Sequence, residues 1–260
     1  MNRKRGIHIL TGLLLLLLII NYNFFDNFLI SVFNERESIV VERIVDGDTI
    51  QSTDGEKIRL LGINTPEKNE IYYEEARDFL EENILNKTIE LEFGKDKTDI
   101  YNRTLAYLYL DKKNVNLEIV KQGFANFYFP SGKDRHYKDF YNAWLECLKS
   151  NQGLCEKSIN KCQSCLNVNL DKEKQAVILK NSCEFSCELE DWSIKDEGRK
   201  KFVFPGFILE KGRDVEIIVG DKENTNEILF WKDEKYVWTS TGDTFFLRDK
   251  NNKLVLWKSY

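Results

Sequence analysis

The chain has 260 residues, 42% of them hydrophobic and 31% charged, enough for one large domain or two ordinary ones with real cores. A net charge of −5 excludes a chain-wide cationic surface, so a polyanionic partner would need a local basic cluster or a bound cation. Only two histidines occur, His8 in an apolar run and His136 ahead of a helical pattern, which weighs against histidine-based nucleases, Ser-His-Asp hydrolases and histidine-ligated zinc enzymes.

In chain order, Arg3, Lys4 and Arg5 precede an apolar run from Gly6 to Ile20, and Asp26 is the only acid before Phe33. No small-x-small cleavage site follows, and the length suffices for a bilayer span. Residues 1–33 therefore read as an N-terminal signal anchor or transmembrane segment with a cytoplasmic basic flank. The rest is expected at the cell membrane as a single-pass protein with extracytoplasmic domains, or secreted if the segment is cleaved.

Residues 38–158 read as the first domain. Strands are predicted at 39–45, 49–52, 57–63, 88–93 and 105–110, with Asp54-Gly55 as a hairpin turn. Helical spacing places Ala76, Phe79, Leu80 and Ile84 on one face, then Leu117 and Val120 before Gly123, then Phe140, Trp144 and Leu148 before Gly153. Five strands with three helices predict a mainly β fold, a small closed barrel with helices packed on it. Residues 159–171 lack periodicity and read as a Cys-containing linker. Seven short apolar runs split by charged or Gly-containing turns fill 172–260 and predict an immunoglobulin-like β-sandwich.

Phosphodiester cleavage needs neutralisation of transition-state charge, a polarised water and in-line geometry. The first domain holds the residue types for it. Asp46, Asp48, Asn64 and the carbonyls beside Thr65 are candidate oxygens for a hard cation. Glu67, aimed by Pro66, could deprotonate water, and Arg59 and Arg103 could clamp phosphate oxygens. Taken alone, Asp-Gly-Asp is an ordinary turn.

"IVDGDTI", "IRLLGINTPE", "TDIYNRTLAYLYL" and "VNLEIVKQGFA" occur in the order and at about the spacing of the staphylococcal nuclease (thermonuclease) family, over residues 39–157. The resemblance implies an OB-type five-stranded barrel with three helices. It also implies Ca²⁺-dependent cleavage of DNA and RNA to 3′-phosphate ends. By it Asp48 resembles a Ca²⁺ ligand, with Asn64 and Thr65 completing the metal site. Arg59 and Arg103 resemble the phosphate-binding arginines, and Glu67 the general base. Tyr101 and Tyr128 resemble nucleotide-pocket tyrosines, and Asp46 a turn former. The departure is Asn64, where the family's type member carries a second metal-binding aspartate; a weaker Ca²⁺ site or a shifted ion preference is expected. A catalytically inactive, membrane-anchored nucleic-acid-binding or scaffolding module is the competing reading. Lys95, Lys97, Lys112 and Lys113 are candidates for a basic face.

All six cysteines fall between Cys147 and Cys187. Cys162, Cys165, Cys183 and Cys187 come close to a four-thiolate Zn²⁺ spacing, but an exported chain favours disulfides, either local or across the two pairs. Residues 172–260 resemble a lamin-tail domain, through "LEDWSIKDEG", "FVFPGFILEKGRDVEIIVG" and "VWTSTGDTFFLRDKNNKLVLWKSY". Its tryptophans are expected in the core rather than on a stacking surface, and Arg199–Lys201 in a solvated turn. The ligand of this domain is not readable.

Overall fold

A computed structural model describes residues 36–260; the expected anchor at 1–33 lies outside the described residues. Among the described residues no helix is long and apolar enough to cross a membrane.

The first half is a closed five-stranded barrel. Strand β1 (Glu37–Asp46) turns into β2 (Thr49–Ser52), β3 (Lys57–Leu60) follows, and β4 (Gly62–Asn64) continues in a new direction. After helix α1 (Tyr73–Ile84) come β5 (Thr88–Thr98), β6 (Thr104–Leu110) and the short β7 (Lys113–Asn114). The sheet order is β3-β2-β1-β5-β6-β7, and parallel pairing of β3 with β6, Ile58 opposite Thr104, closes the cylinder. Closure leaves no free edge in the ring of β3, β2, β1, β5 and β6 and seals an aliphatic core that includes Val41, Ile50, Ile58, Leu91 and Leu108.

The run expected as one strand from 57 to 63 breaks at Gly62. Its φ of +75° is left-handed, and a Cβ there would lie 2.9 Å from the Phe140 ring. Only glycine combines that turn with that approach. The break aims β4 away from the barrel to pair with β8 (Asn126–Tyr128), Asn64 opposite Asn126. Helix α2 (Val115–Lys121) starts at Asn114, whose side chain accepts from the Leu117 amide. It buries Val115, Asn116, Ile119 and Val120, so its inner face is turned from the predicted Leu117 side. Helix α3 (Tyr137–Ser150) buries Phe140, Ala143, Trp144 and Cys147, with the Cys147–Cys155 disulfide tying down its end.

The second half contains two four-stranded sheets. One has order β16-β15-β10-β9, from Ile228–Trp231, Asp214–Val219, Ala176–Asn181 and Leu166–Asp171. The other has order β13-β12-β17-β18, from Lys201–Val203, Ser193–Lys195, Thr244–Arg248 and Leu254–Ser259. Each of the seven predicted runs supplies one strand. An apolar cluster drawn from both sheets includes Val177, Ile217, Trp192, Trp231, Trp238 and Leu247, so those tryptophans are core. A minor ladder joins β11 (Cys187–Glu188) to β14 (Ile208–Leu209). The stretch read as linker holds β9, paired along its length with β10, because Leu166 has apolar neighbours to pack against. Disulfides Cys162–Cys187 and Cys165–Cys183 fasten it, the across-pair alternative. Oxidised, these four sulfurs offer no thiolate, which corrects the zinc alternative for those positions.

The halves are not beads on a string. Trp144 of α3 packs edge-on against Phe246 of β17 and Trp257 of β18, and Phe246 and Leu254 belong to the barrel's core cluster. Leu254 also exchanges backbone hydrogen bonds with Glu156 and Ser158, so the chain leaving α3 runs along β18.

Candidate functional site

The site lies where β1, β2, β4 and the turn before β6 meet. In the Asp-Gly-Asp turn the Asp46 carboxylate accepts from the Asp48 amide at 3.0 Å, so Asp46 shapes the turn as expected. Gly47 has no room for a side chain: a Cβ would lie 2.6 Å from the Ala76 Cβ and 2.9 Å from the Thr65 hydroxyl. That close approach brings Asp48 to Thr65, seventeen residues on, whose hydroxyl donates to Asp48 Oδ2 at 3.3 Å.

Asp48 is the hub. Arg59 Nη2 lies 2.9 Å from its Oδ2, both side chains buried, and Thr49 Oγ1 donates to its Oδ1 at 3.1 Å. Arg103 Nη1 reaches the same Thr49 hydroxyl at 3.5 Å, so both arginines connect to one carboxylate. Arg59 also donates to the carbonyls of Leu60 and Ile63 (3.0 Å for the latter). It therefore neutralises Asp48 rather than lying open as a bidentate clamp; two opposite charges sharing a dry site attract strongly. Arg103 is held by Asp99 at 2.7 Å, and Asp99 also accepts from the amides of Tyr101 and Arg103. These bonds outweigh burial and keep the Asp99 carboxyl below its usual range. Tyr101 on the same loop is 75% exposed, with the Arg103 guanidinium 5.5 Å above its ring. Tyr128, opposite Gly62, is half-buried, and burial pushes its hydroxyl up.

Two residues beyond Thr65, Glu67 is half-exposed and its backbone amide donates to Glu70 Oε2 at 2.9 Å. Sequence reasoning missed Glu70, and it missed what touches this loop from the other half. Arg199 Nε lies 2.6 Å from Glu67 Oε1, and Lys195 Nζ lies 3.2 Å from Glu70 Oε2. Burial would raise Glu70, but Lys195 leads the partners that pull it below the usual carboxylate range. The Asn64 amide donates to the Gly198 carbonyl at 2.8 Å, and the Asn126 amide to the Glu197 carbonyl at 2.8 Å. The segment expected as a solvated turn is thus partly bound to the barrel. The only hint was its position after the Trp192 strand, which says nothing about a partner in another domain. Lys95, Lys97, Lys112 and Lys113 are exposed, with Lys97 Nζ 5.1 Å over the Phe93 ring.

A hard divalent ion fits the donor set. Asp46 and Asp48 are neighbouring carboxylates, and burial followed by the charge of Asp48 pushes the Asp46 carboxyl up. A cation relieves that surplus of negative charge. Asn64 offers an amide oxygen and Thr65 a hydroxyl, so the set is all oxygen but one carboxylate short of the expected pair at positions 48 and 64.

Comparison with known proteins matches residues 57–157 to the model for staphylococcal nuclease homologues. A thermonuclease of Staphylococcus hyicus is 35% identical over 129 residues, 45% of this chain and 76% of that protein. A thermonuclease of Staphylococcus intermedius is 36% identical over 110 residues, 38% of this chain and 66% of that protein. An uncharacterized endonuclease of Haemophilus influenzae is 40% identical over 96 residues, 35% of this chain and 52% of that protein. The chain thus spans from about half to three quarters of these relatives, and the family model falls on its barrel half.

Proposed function

The chain belongs to the staphylococcal nuclease family, and from that membership and the barrel-mouth geometry we propose that it is an endonuclease hydrolysing phosphodiester bonds of DNA and RNA. The observation that carries this reading is the convergence on Asp48 of Arg59, Thr65 and, through Thr49, Arg103. Glu67 stands two residues from Thr65.

Glu67 takes the proton of the attacking water. Arg103 and Arg59 stabilise the charge that gathers on the phosphoryl oxygens; Arg103, the more exposed, meets the substrate first. Tyr101 gives an exposed ring for a base to stack on, so little sequence preference is expected. Breaking the bond to the 5′ oxygen leaves a 3′-phosphate. Asp48, with Asp46, Asn64 and Thr65, would hold Ca²⁺, which when bound supplies positive charge beside the scissile phosphate. The two-sheet half is proposed as an immunoglobulin-like, lamin-tail-like unit. The N-terminal apolar segment would hold the enzyme at the membrane, facing the cell exterior.

Residues 38–260 incubated with plasmid or RNA and Ca²⁺, Mg²⁺ or Mn²⁺ are expected to degrade both polymers best with Ca²⁺. Glu67→Gln should lower kcat about 10²–10⁴-fold, the range for loss of a general base. Polynucleotide left intact under every ion, but bound, would establish the inactive binding module.

A further inference from the structure

Asn64 gives the lead. An aspartate there would aim a carboxylate at the Gly198 carbonyl, two acceptors facing each other, whereas the asparagine amide donates to it at 2.8 Å. The departure from the family's metal-binding carboxylate therefore coincides with a new partner. That partner is a docked structure. Asn126 donates to the Glu197 carbonyl, the Phe129 amide donates to Glu197 Oε1 at 3.1 Å, and Lys195 and Lys201 approach Glu70 from both ends of the loop. Asp196 and Glu197 are buried, and a Cβ on Gly198 would lie 3.5 Å from the Tyr128 ring. From this fixed backbone Arg199 projects, 61% exposed, with one nitrogen on Glu67.

Resting on the nuclease reading, we propose that the Asp196–Arg199 loop is part of the nuclease site and that Arg199 binds a substrate phosphate. Arg199 lies against Glu67. A phosphodiester entering beside Tyr128 offers the guanidinium a fork of oxygens that bonds more strongly than one half-hydrated carboxylate. The guanidinium turns to the phosphate, and Glu67 is left free to accept the proton of water. The second half thereby adds a cation at the one place where an acidic protein must attract a polyanion.

The test uses the full chain in detergent with Ca²⁺ and a fluorescent single-stranded DNA, in a Glu67→Gln background that binds without cutting. Adding Arg199→Ala should weaken binding about tenfold, as loss of one charge-assisted hydrogen bond does. It should also make the slope of log K against log salt shallower by about 0.7, one phosphate contact on a single strand. Arg199→Lys should restore part of both. With Glu67 intact, Arg199→Ala should raise KM for the same DNA more than it lowers kcat. Unchanged binding and salt slope would overturn the proposal while leaving the nuclease intact. So would faster cleavage at unchanged affinity, which would make Arg199 a mere restraint on Glu67. Should the parent protein neither cut nor bind polynucleotide, the nuclease reading itself falls, a result distinct from either.

Discussion

In the proposed site, position 64 would carry two demands, a ligand oxygen for a cation and a donor for the Gly198 carbonyl, and asparagine offers both. Asn64→Asp should tighten Ca²⁺ binding through the added charge while costing about 1–3 kcal/mol of stability, since it strands a buried carbonyl. Calcium titration and urea unfolding of the same variant measure the two effects, which should move in opposite directions. Arg59→Ala should be worse for stability, about 3–5 kcal/mol, because it leaves the Asp48 charge buried without its counter-ion. Denaturant midpoints, with and without Ca²⁺, check this; added ion should recover part of the loss. The residues on contiguous motifs were legible because turn chemistry and short-range order hold Asp48, Thr65 and Glu67 in place. Glu70 and Arg199 were not, since a carboxylate on a loop and a basic triplet in a turn look solvated until the fold brings them together.

Among elements, the barrel strands were readable from alternation and turn residues, with one instructive failure at 57–63. Apolar pattern continues smoothly through Leu61 and Ile63, and only the glycine between them hints at the break. Gly62→Ala should cost about 2 kcal/mol or more, combining a left-handed backbone with overlap on Phe140, as urea denaturation would show. Helix α2 shows the limit of face prediction: over seven residues the spacing admits more than one inner side, and burial of Asn116 decides it. The Asn116 carboxamide accepts from the Leu108 amide and donates to the Leu61 carbonyl, so a polar residue fills an inner position. The Leu166–Asp171 strand was hidden by alternating asparagines and a neighbouring cysteine pair. The two disulfides spanning 25 and 18 residues are each worth about 3 kcal/mol by loop-closure entropy, so reduction should lower the melting temperature markedly.

For the whole molecule, nothing in the sequence pattern shows that the two halves share a core. Trp144 sits in a core fed by α3 and by the last two strands, so calorimetry should record one unfolding transition rather than two. The junction also carries a pH dependence. Burial, and then the charge of Asp243, push Asp196 up to about 7 and Glu197 up to about 8, and burial also raises Asp243. In the unfolded chain these carboxyls titrate near 4, so between about pH 4 and 8 the folded protein holds more protons. Their stabilisation is complete below the unfolded value and is lost as pH rises through the folded ones, at up to about 1.4 kcal/mol per pH unit for each group. Glu92, held down to about 2 because His136 and then Arg135 outweigh its burial, acts in the opposite sense only below about pH 4.5. Thermal melts from pH 5 to 8 should therefore show falling stability, with Asp243→Asn flattening the trend.

Strand β18 lies about 110 residues after α3 in the chain, yet its Trp257 packs edge-on against Trp144. A barrel parted from β17 and β18 presents Trp144 without Phe246 and Trp257 against it. Proteolytic nicking between the halves followed by their separation should therefore leave an aggregating barrel, not a smaller working one.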